Sequence, residues 1–170
     1  MPEGKVPMNI IIRAYDHTDA EAARLVWNRE VQEASSLSQE EPLSPDQAAL
    51  FFSMQTHTGV AVDADTGRLM GAYVLRPFTT GRCGHVAVAS YAYVDPTTDG
   101  ELVRRLVVDS MEQAILLGFR VLRTDAVASN VRVLQLYDDM GLRRVGVLPG
   151  GYRKPDGTYD DLVLYWHELS

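Results

Sequence analysis

Val94-Asp95-Pro96-Thr97-Thr98-Asp99-Gly100-Glu101-Leu102-Val103-Arg104-Arg105 joins a β-rich run to a long amphipathic helix. A strand ending at Val-Asp-Pro, a short polar loop with one glycine and a helix start form a junction suited to anions. The first helical N–H groups lack intrahelical partners, and the helix dipole is positive there. Asp99 and Glu101 put two carboxylates at the same point, and only Gly100 leaves the backbone bare.

Outward from this junction, the pattern alternates between the two regular periods. C-terminal to it, Leu102, Val103, Leu106, Val107, Met111 and Ala114 form one helical stripe, and Gly118 supplies a left-handed stop. A strand over 121–127 follows. A short helix begins at Ser129-Asn130, carries Val133, Leu136, Tyr137 and Met140 on one side, and ends at Gly141. Residues 142–148 and 159–169 read as strands joined by a Pro- and Gly-rich loop. N-terminal to the junction, 85–94 is a strand, and 59–62 with 69–75 form a hairpin around Asp63-Ala64-Asp65-Thr66-Gly67. Ser44-Pro45-Asp46-Gln47 is a capping signature that opens a helix reaching about Gln55. A helix capped by Asp16 or Thr18 runs to about Ala34, with Ala22, Val26, Trp27 and Val31 as its apolar side, after a strand over 8–14. The order predicts one α/β domain over 1–170, with a mixed, mostly antiparallel sheet flanked by helices.

Composition bounds the function. The chain has 170 residues, 46% hydrophobic and 23% charged, with a net charge of −7 from 16 basic and 23 acidic residues. A nucleic-acid partner is not expected, because phosphate backbones call for clustered Lys and Arg. No apolar run reaches membrane-span length, and no signal peptide is read at the N-terminus. Cys83 is the single cysteine, which excludes an internal disulfide and suits a reducing, cytoplasmic setting. His17, His57, His85 and His167 lack metal-ligand spacing, so no metal is expected.

The element order resembles the GCN5-related N-acetyltransferase superfamily over nearly the whole chain. Val94-Asp95-Pro96 is similar to the end of that family's fourth strand. Ser129-Asn130, Leu136-Tyr137 and Gly141-Leu142 resemble its N…LY…GF signature. Gly84-His85-Val86-Ala87, Val147-Leu148-Pro149-Gly150 and 156–162 resemble a bacterial and fungal subgroup. The resemblance implies acetyl-CoA as co-substrate, with its pyrophosphate on a loop of the form R/Q-x-x-G-x-G/A. The equivalent positions are Asp99, Gly100, Glu101, Leu102, Val103 and Arg104, a degenerate version that keeps only the first glycine. Each carboxylate opposes a pyrophosphate by about 1 kcal/mol, depending on exposure. Asp99 either caps the helix and fills the anion site, or leaves the N–H groups to the phosphates. Arg104 and Arg105 either reach the phosphates, or Arg105 pairs with Glu101 one turn away, the reading that i,i+4 spacing favours. If the loop is the impairment, Asp99→Arg with Leu102→Gly raises CoA affinity.

The resemblance further implies that a splay of strand four frees backbone groups at Ala92, Tyr93 and Val94 for pantetheine. It sets Asn130 near the cofactor arm and Tyr137 beside the departing thiolate, to which a phenol can donate a proton. Capping by Asn130 and internal packing of Tyr137 are the alternatives from the helix pattern alone. No carboxylate precedes Asp95 on strand four, so a general base is not evident, and His85 and Tyr91 are the substrate-binding candidates. The implied activity is acyl-CoA-dependent N-acyl transfer to the amine of a small molecule, in a possible homodimer. The alternative is a binding or regulatory protein on the same scaffold that has lost ordinary acetyl-CoA binding. The acceptor walls are expected in the first two helices with their connection, and in the 149–159 loop.

Overall fold

The computed structural model describes residues 8–94 and 100–170. Seven strands form one sheet: β1 (Ile10–Ala14), β2 (His57–Asp63), β3 (Leu69–Pro77), β4 (Val86–Tyr93), β5 (Val121–Val127), β6 (Arg143–Arg153) and β7 (Tyr159–Glu168), in the order β1-β2-β3-β4-β5-β7-β6. Every neighbouring pair is antiparallel except β4 and β5, which run parallel. Among the described residues four α-helices cover the sheet: α1 (Ala20–Glu33), α2 (Pro45–Met54), α3 (Glu101–Leu116) and α4 (Val131–Asp139). This is the mixed, mostly antiparallel α/β architecture that the sequence predicts.

Strand alternation divides the core in two. Ala87, Ala89, Tyr91 and Tyr93 of β4 pack with Leu102 and Leu106 of α3 and Tyr137 of α4. Ala92 of β4, with Ala72 and Val74 of β3, packs on the other face against Val26 and Trp27 of α1 and Phe52 of α2. The buried stripe of α1 runs through Ala23, whereas Ala22 is exposed. The helix begins later than the cap position suggests, because a 3-10 turn over His17–Asp19 follows Asp16.

The local signals act where the sequence puts them. The Ser44 hydroxyl accepts from Gln47 N, and the Gln47 side chain accepts from Ser44 N, closing a reciprocal cap at the start of α2. Ser44→Ala is expected to lower stability by about 1 kcal/mol in a thermal or urea unfolding experiment. Gly118 and Gly141 hold φ of 87° and 82° after α3 and α4, as left-handed stops require. Among the described residues no helix is long and apolar enough to cross a membrane.

Candidate functional site

The parallel contact between β4 and β5 is short. It pairs Val86 with Val121, Ala87 with Leu122 and Val88 with Arg123, and ends there. β4 continues beside β3 as far as Tyr93, so beyond Val88 its other edge diverges from β5. The direction of its amides follows from two bonds. Val94 N donates to Met70 O at 2.9 Å, and Val86 O accepts from Phe78 N at 2.7 Å. Backbone groups alternate sides along a strand, so residues 86, 88, 90, 92 and 94 serve the β3 side. Residues 89, 91 and 93 face the gap. Thr124 Oγ1 closes on Ala89 O at 3.2 Å, which leaves the backbone of Tyr91 and Tyr93 directed into the opening.

This corrects part of the expected set. Ala92 turns its backbone to β3 and its side chain into the α1–α2 core, so it offers nothing to the gap. Val94 spends its N–H on Met70 and its carbonyl on Arg29 Nη1. Tyr91 replaces them as a backbone contributor beside Tyr93. Tyr91 also borders the small pocket described below, with its hydroxyl buried 2.8 Å from Ser110 Oγ of α3. His85 is exposed in the turn before β4, where its carbonyl accepts from Arg120 N. It lies four residues, about 13 Å of strand, from the opening.

A cavity of about 1060 Å³ runs from the start of α3 along α4 to the end of α1. Gly100, Val103 and Arg104 at the start of α3, Asn130 and Arg132 at the start of α4, Tyr93 of β4 and Glu30 of α1 line it. Gly100 has φ 69°, and Arg104 N bonds to its carbonyl at 2.8 Å, so the N–H groups of Glu101, Leu102 and Val103 have no intrahelical acceptor. The Leu102 side chain is 1% exposed and points into the core, so it does not cover those amides. Glu101 is exposed. Glu101 and Arg105 form no ion pair with each other among the described residues, and Arg105 does not line the cavity, so the expected i,i+4 pair is absent. Asp99 lies outside the described residues.

Asn130 stands at the N-cap of α4 without capping it through its side chain. Its Nδ2 donates to Ser35 O at 3.2 Å, linking α4 to the turn after α1. The last turn of α1, just before it, carries a buried carboxylate that no sequence pattern signals. Glu30 is 3% exposed and accepts from the hydroxyls of Ser35 and Ser36. Burial pushes its pKa up, against the lowering effect of both hydroxyls.

A second pocket of about 300 Å³ opens at the apex of the β4–β5 gap. Tyr93 and Val133 line both cavities, which makes them neighbours. Tyr137 reaches this pocket from α4, packed edge-on to Tyr165 with ring centroids 5.1 Å apart and 6.5 Å from Tyr91. Burial holds its phenol pKa well above the ordinary value of 10.0. Asp125 of β5 lines the same pocket, a carboxylate in the middle of VLRTDAV, one strand away from β4. Gly151 and Tyr152 of β6 and Gln39 of the α1–α2 connection complete the walls, where the acceptor walls were expected. Arg153 pairs with Glu40, and Lys154 lies 3.5 Å from Asp160.

No family model matches the chain. A Bacillus subtilis (strain 168) protein provisionally named phosphinothricin acetyltransferase YwnH is 26% identical over 162 residues, covering 94% of this chain and 99% of its own. The solved structure of a GCN5-related N-acetyltransferase from Kribbella flavida is 25% identical and covers 94% of this chain and 98% of that one, at a TM-score of 0.83. A phosphinothricin acetyltransferase from Sinorhizobium meliloti, solved in complex with acetyl-CoA, has a TM-score of 0.86 over 96% of this chain and 90% of that one. At 18% identity that likeness shows the fold alone. The parallel pair that parts after Val88 and Arg123, the helix start at Gly100 and full-length similarity to these proteins agree: the chain has the fold of the GCN5-related N-acetyltransferases and is similar to them along its length.

Proposed function

We propose that this acetyltransferase moves an acyl group from acyl-CoA, with acetyl-CoA the first choice, to the amine of a small molecule. The observation that carries this reading is the opening between β4 and β5, continuous with a cavity of about 1060 Å³ that ends at the start of α3. When bound, the CoA thioester supplies an acyl carbon open to attack by nitrogen. The chain's residues fit it. The amides of Glu101, Leu102 and Val103, at a helix start entered through left-handed Gly100, suit a pyrophosphate. Arg104 and Arg132 line the same space and add positive charge. The backbone of Tyr91 and Tyr93 faces the gap as an unpaired strand edge, able to bond an extended amide-bearing arm. Asn130 holds the α1 turn against the side of that channel.

Tyr137 is the proton donor in this reading. Its hydroxyl stays protonated because burial raises its pKa, so the proton is in place when sulfur departs. A phenol is a weaker acid than a thiol, and its transfer to the thiolate goes to completion because the attacking nitrogen sheds a proton that restores the phenol. The alternative of a scaffold without ordinary acetyl-CoA binding rests on Asp99, Glu101, Leu102 and Arg104. Leu102 is turned inward and Arg104 toward the cavity, which removes two of its four grounds.

Calorimetric titration with acetyl-CoA tests the reading. Saturable binding is expected, and Arg104→Ala is expected to weaken it about fivefold, the loss of about 1 kcal/mol from a partly exposed charge contact. No binding by the parent protein at millimolar acetyl-CoA overturns the proposal.

A further inference from the structure

The small pocket at the apex of the β4–β5 opening holds one carboxylate among its described residues, and that carboxylate is incompletely satisfied. Asp125 Oδ1 is buried with no hydrogen-bond partner. The nearest cation on its own strand, Arg123 Nε, stands 3.6 Å away, beyond hydrogen-bond reach. A buried charged oxygen without a donor is costly and calls for an explanation.

Position supplies one. Arg123 is the last β5 residue paired to β4, so Asp125 sits just past the point where the strands part. Leu122 and Ala126 face the α3–α4 core, so alternation turns Asp125 to the α1–α2 face. That is the side walled by the α1–α2 connection and β6, opposite the helix that begins at Gly100. Tyr137 borders the same pocket from α4. We propose that Asp125 receives the protonated amine of the acceptor and takes up its proton as nitrogen attacks. The inference rests on the acyl-transfer reading. An ammonium brings three donors to an oxygen that has none.

The step balances. The ammonium gives one proton to the Asp125 carboxylate. The freed lone pair forms the C–N bond to the acyl carbon as the C–S bond breaks. The departing sulfur takes the Tyr137 hydroxyl proton, and the second proton shed by nitrogen restores that hydroxyl. Asp125 then returns its proton to solvent.

Burial raises the Asp125 pKa above 3.8, opposed by Arg123 and by Arg76 of β3. The other titratable groups facing the pocket are phenols: Tyr91 and Tyr93 of β4, Tyr137 of α4 and Tyr152 of β6. Burial moves each of these phenols further up, so none titrates in the acid range. Acid-side titration of the pocket therefore belongs to Asp125.

The test is calorimetric titration of the whole protein with benzylammonium, which stays protonated throughout the acid range. Binding is expected at pH 7, weakened at least tenfold in Asp125→Asn. In the parent it is expected to fade as pH falls through the raised Asp125 pKa, where an aspartate at 3.8 would still be ionised. That pH series is run on both proteins. Asp125→Asn is expected to bind acetyl-CoA within twofold of the parent, and to melt no lower at pH 7, because it removes a buried charge. Benzylammonium binding equal in parent and variant, absent from the parent, or with the same acid-side profile in both overturns the inference. Failure of acetyl-CoA to bind the parent instead overturns the transfer reading, and the ammonium titration still decides the Asp125 contact by itself.

Discussion

Tyr137→Phe is expected to lower kcat for acyl transfer about 100-fold, the lower end of the range for a lost general acid, and to leave acetyl-CoA affinity within twofold. The side chain is 3% exposed, wedged between Tyr91 and Tyr165, and phenylalanine fills the same space. Stability therefore changes little, and the effect falls on the proton. Burial keeps the phenol protonated through neutral and alkaline pH, so a thiolate beside it finds a donor at every working pH. Without the hydroxyl the sulfur departs unprotonated, which raises the barrier for C–S cleavage and not the cost of binding. Single-turnover and steady-state rates with the same amine check this, and an unchanged kcat would assign Tyr137 to packing alone.

Leu102→Gly is expected to destabilise the protein by about 4 kcal/mol and lower its melting temperature by about 12 °C. The sequence suggests the opposite use of this substitution, since Leu102 stands where the family pattern has a small residue beside the phosphates. In the folded chain the side chain turns away from the anion side and joins Leu106 and Val107 beneath the sheet. Glycine there opens a cavity in the core and loosens the first turn of the helix whose amides form the anion site. Differential scanning calorimetry gives the stability, and acetyl-CoA titration below the transition gives the affinity. A gain in affinity with unchanged melting would return Leu102 to the role of an obstruction.

The two helix starts differ in how much could be read locally. Ser44 and Gln47 satisfy each other's backbone within four residues, so the start of α2 is legible from four letters. The start of α3 is marked by Gly100, but whether Leu102 blocks the amides depends on which way the helix faces the sheet, a property of packing. The same holds for strand four. Its β character is plain in VAVASYAY, yet which amides stay unpaired follows from where β5 stops following it. Alternation along β4 turns Ala92 and Val94 to β3 and Tyr91 to the side that β5 leaves open.

Asp125 is the clearest case. In VLRTDAV it is a charged residue inside a strand, a signal with no direction attached. It shares a pocket with Arg76, Gln39 and Tyr137 only because the sheet brings β3, β5, α4 and the α1–α2 connection around one space. By itself the sequence determined the element order, the helix caps and stops, the α/β class and the family resemblance, because these are written in short-range periods and turn chemistry. The tertiary structure alone decided which strand edge is open, which side chains meet across it and which carboxylate is buried without a partner. Those are set by register and packing between segments distant in the chain, where local pattern carries no information.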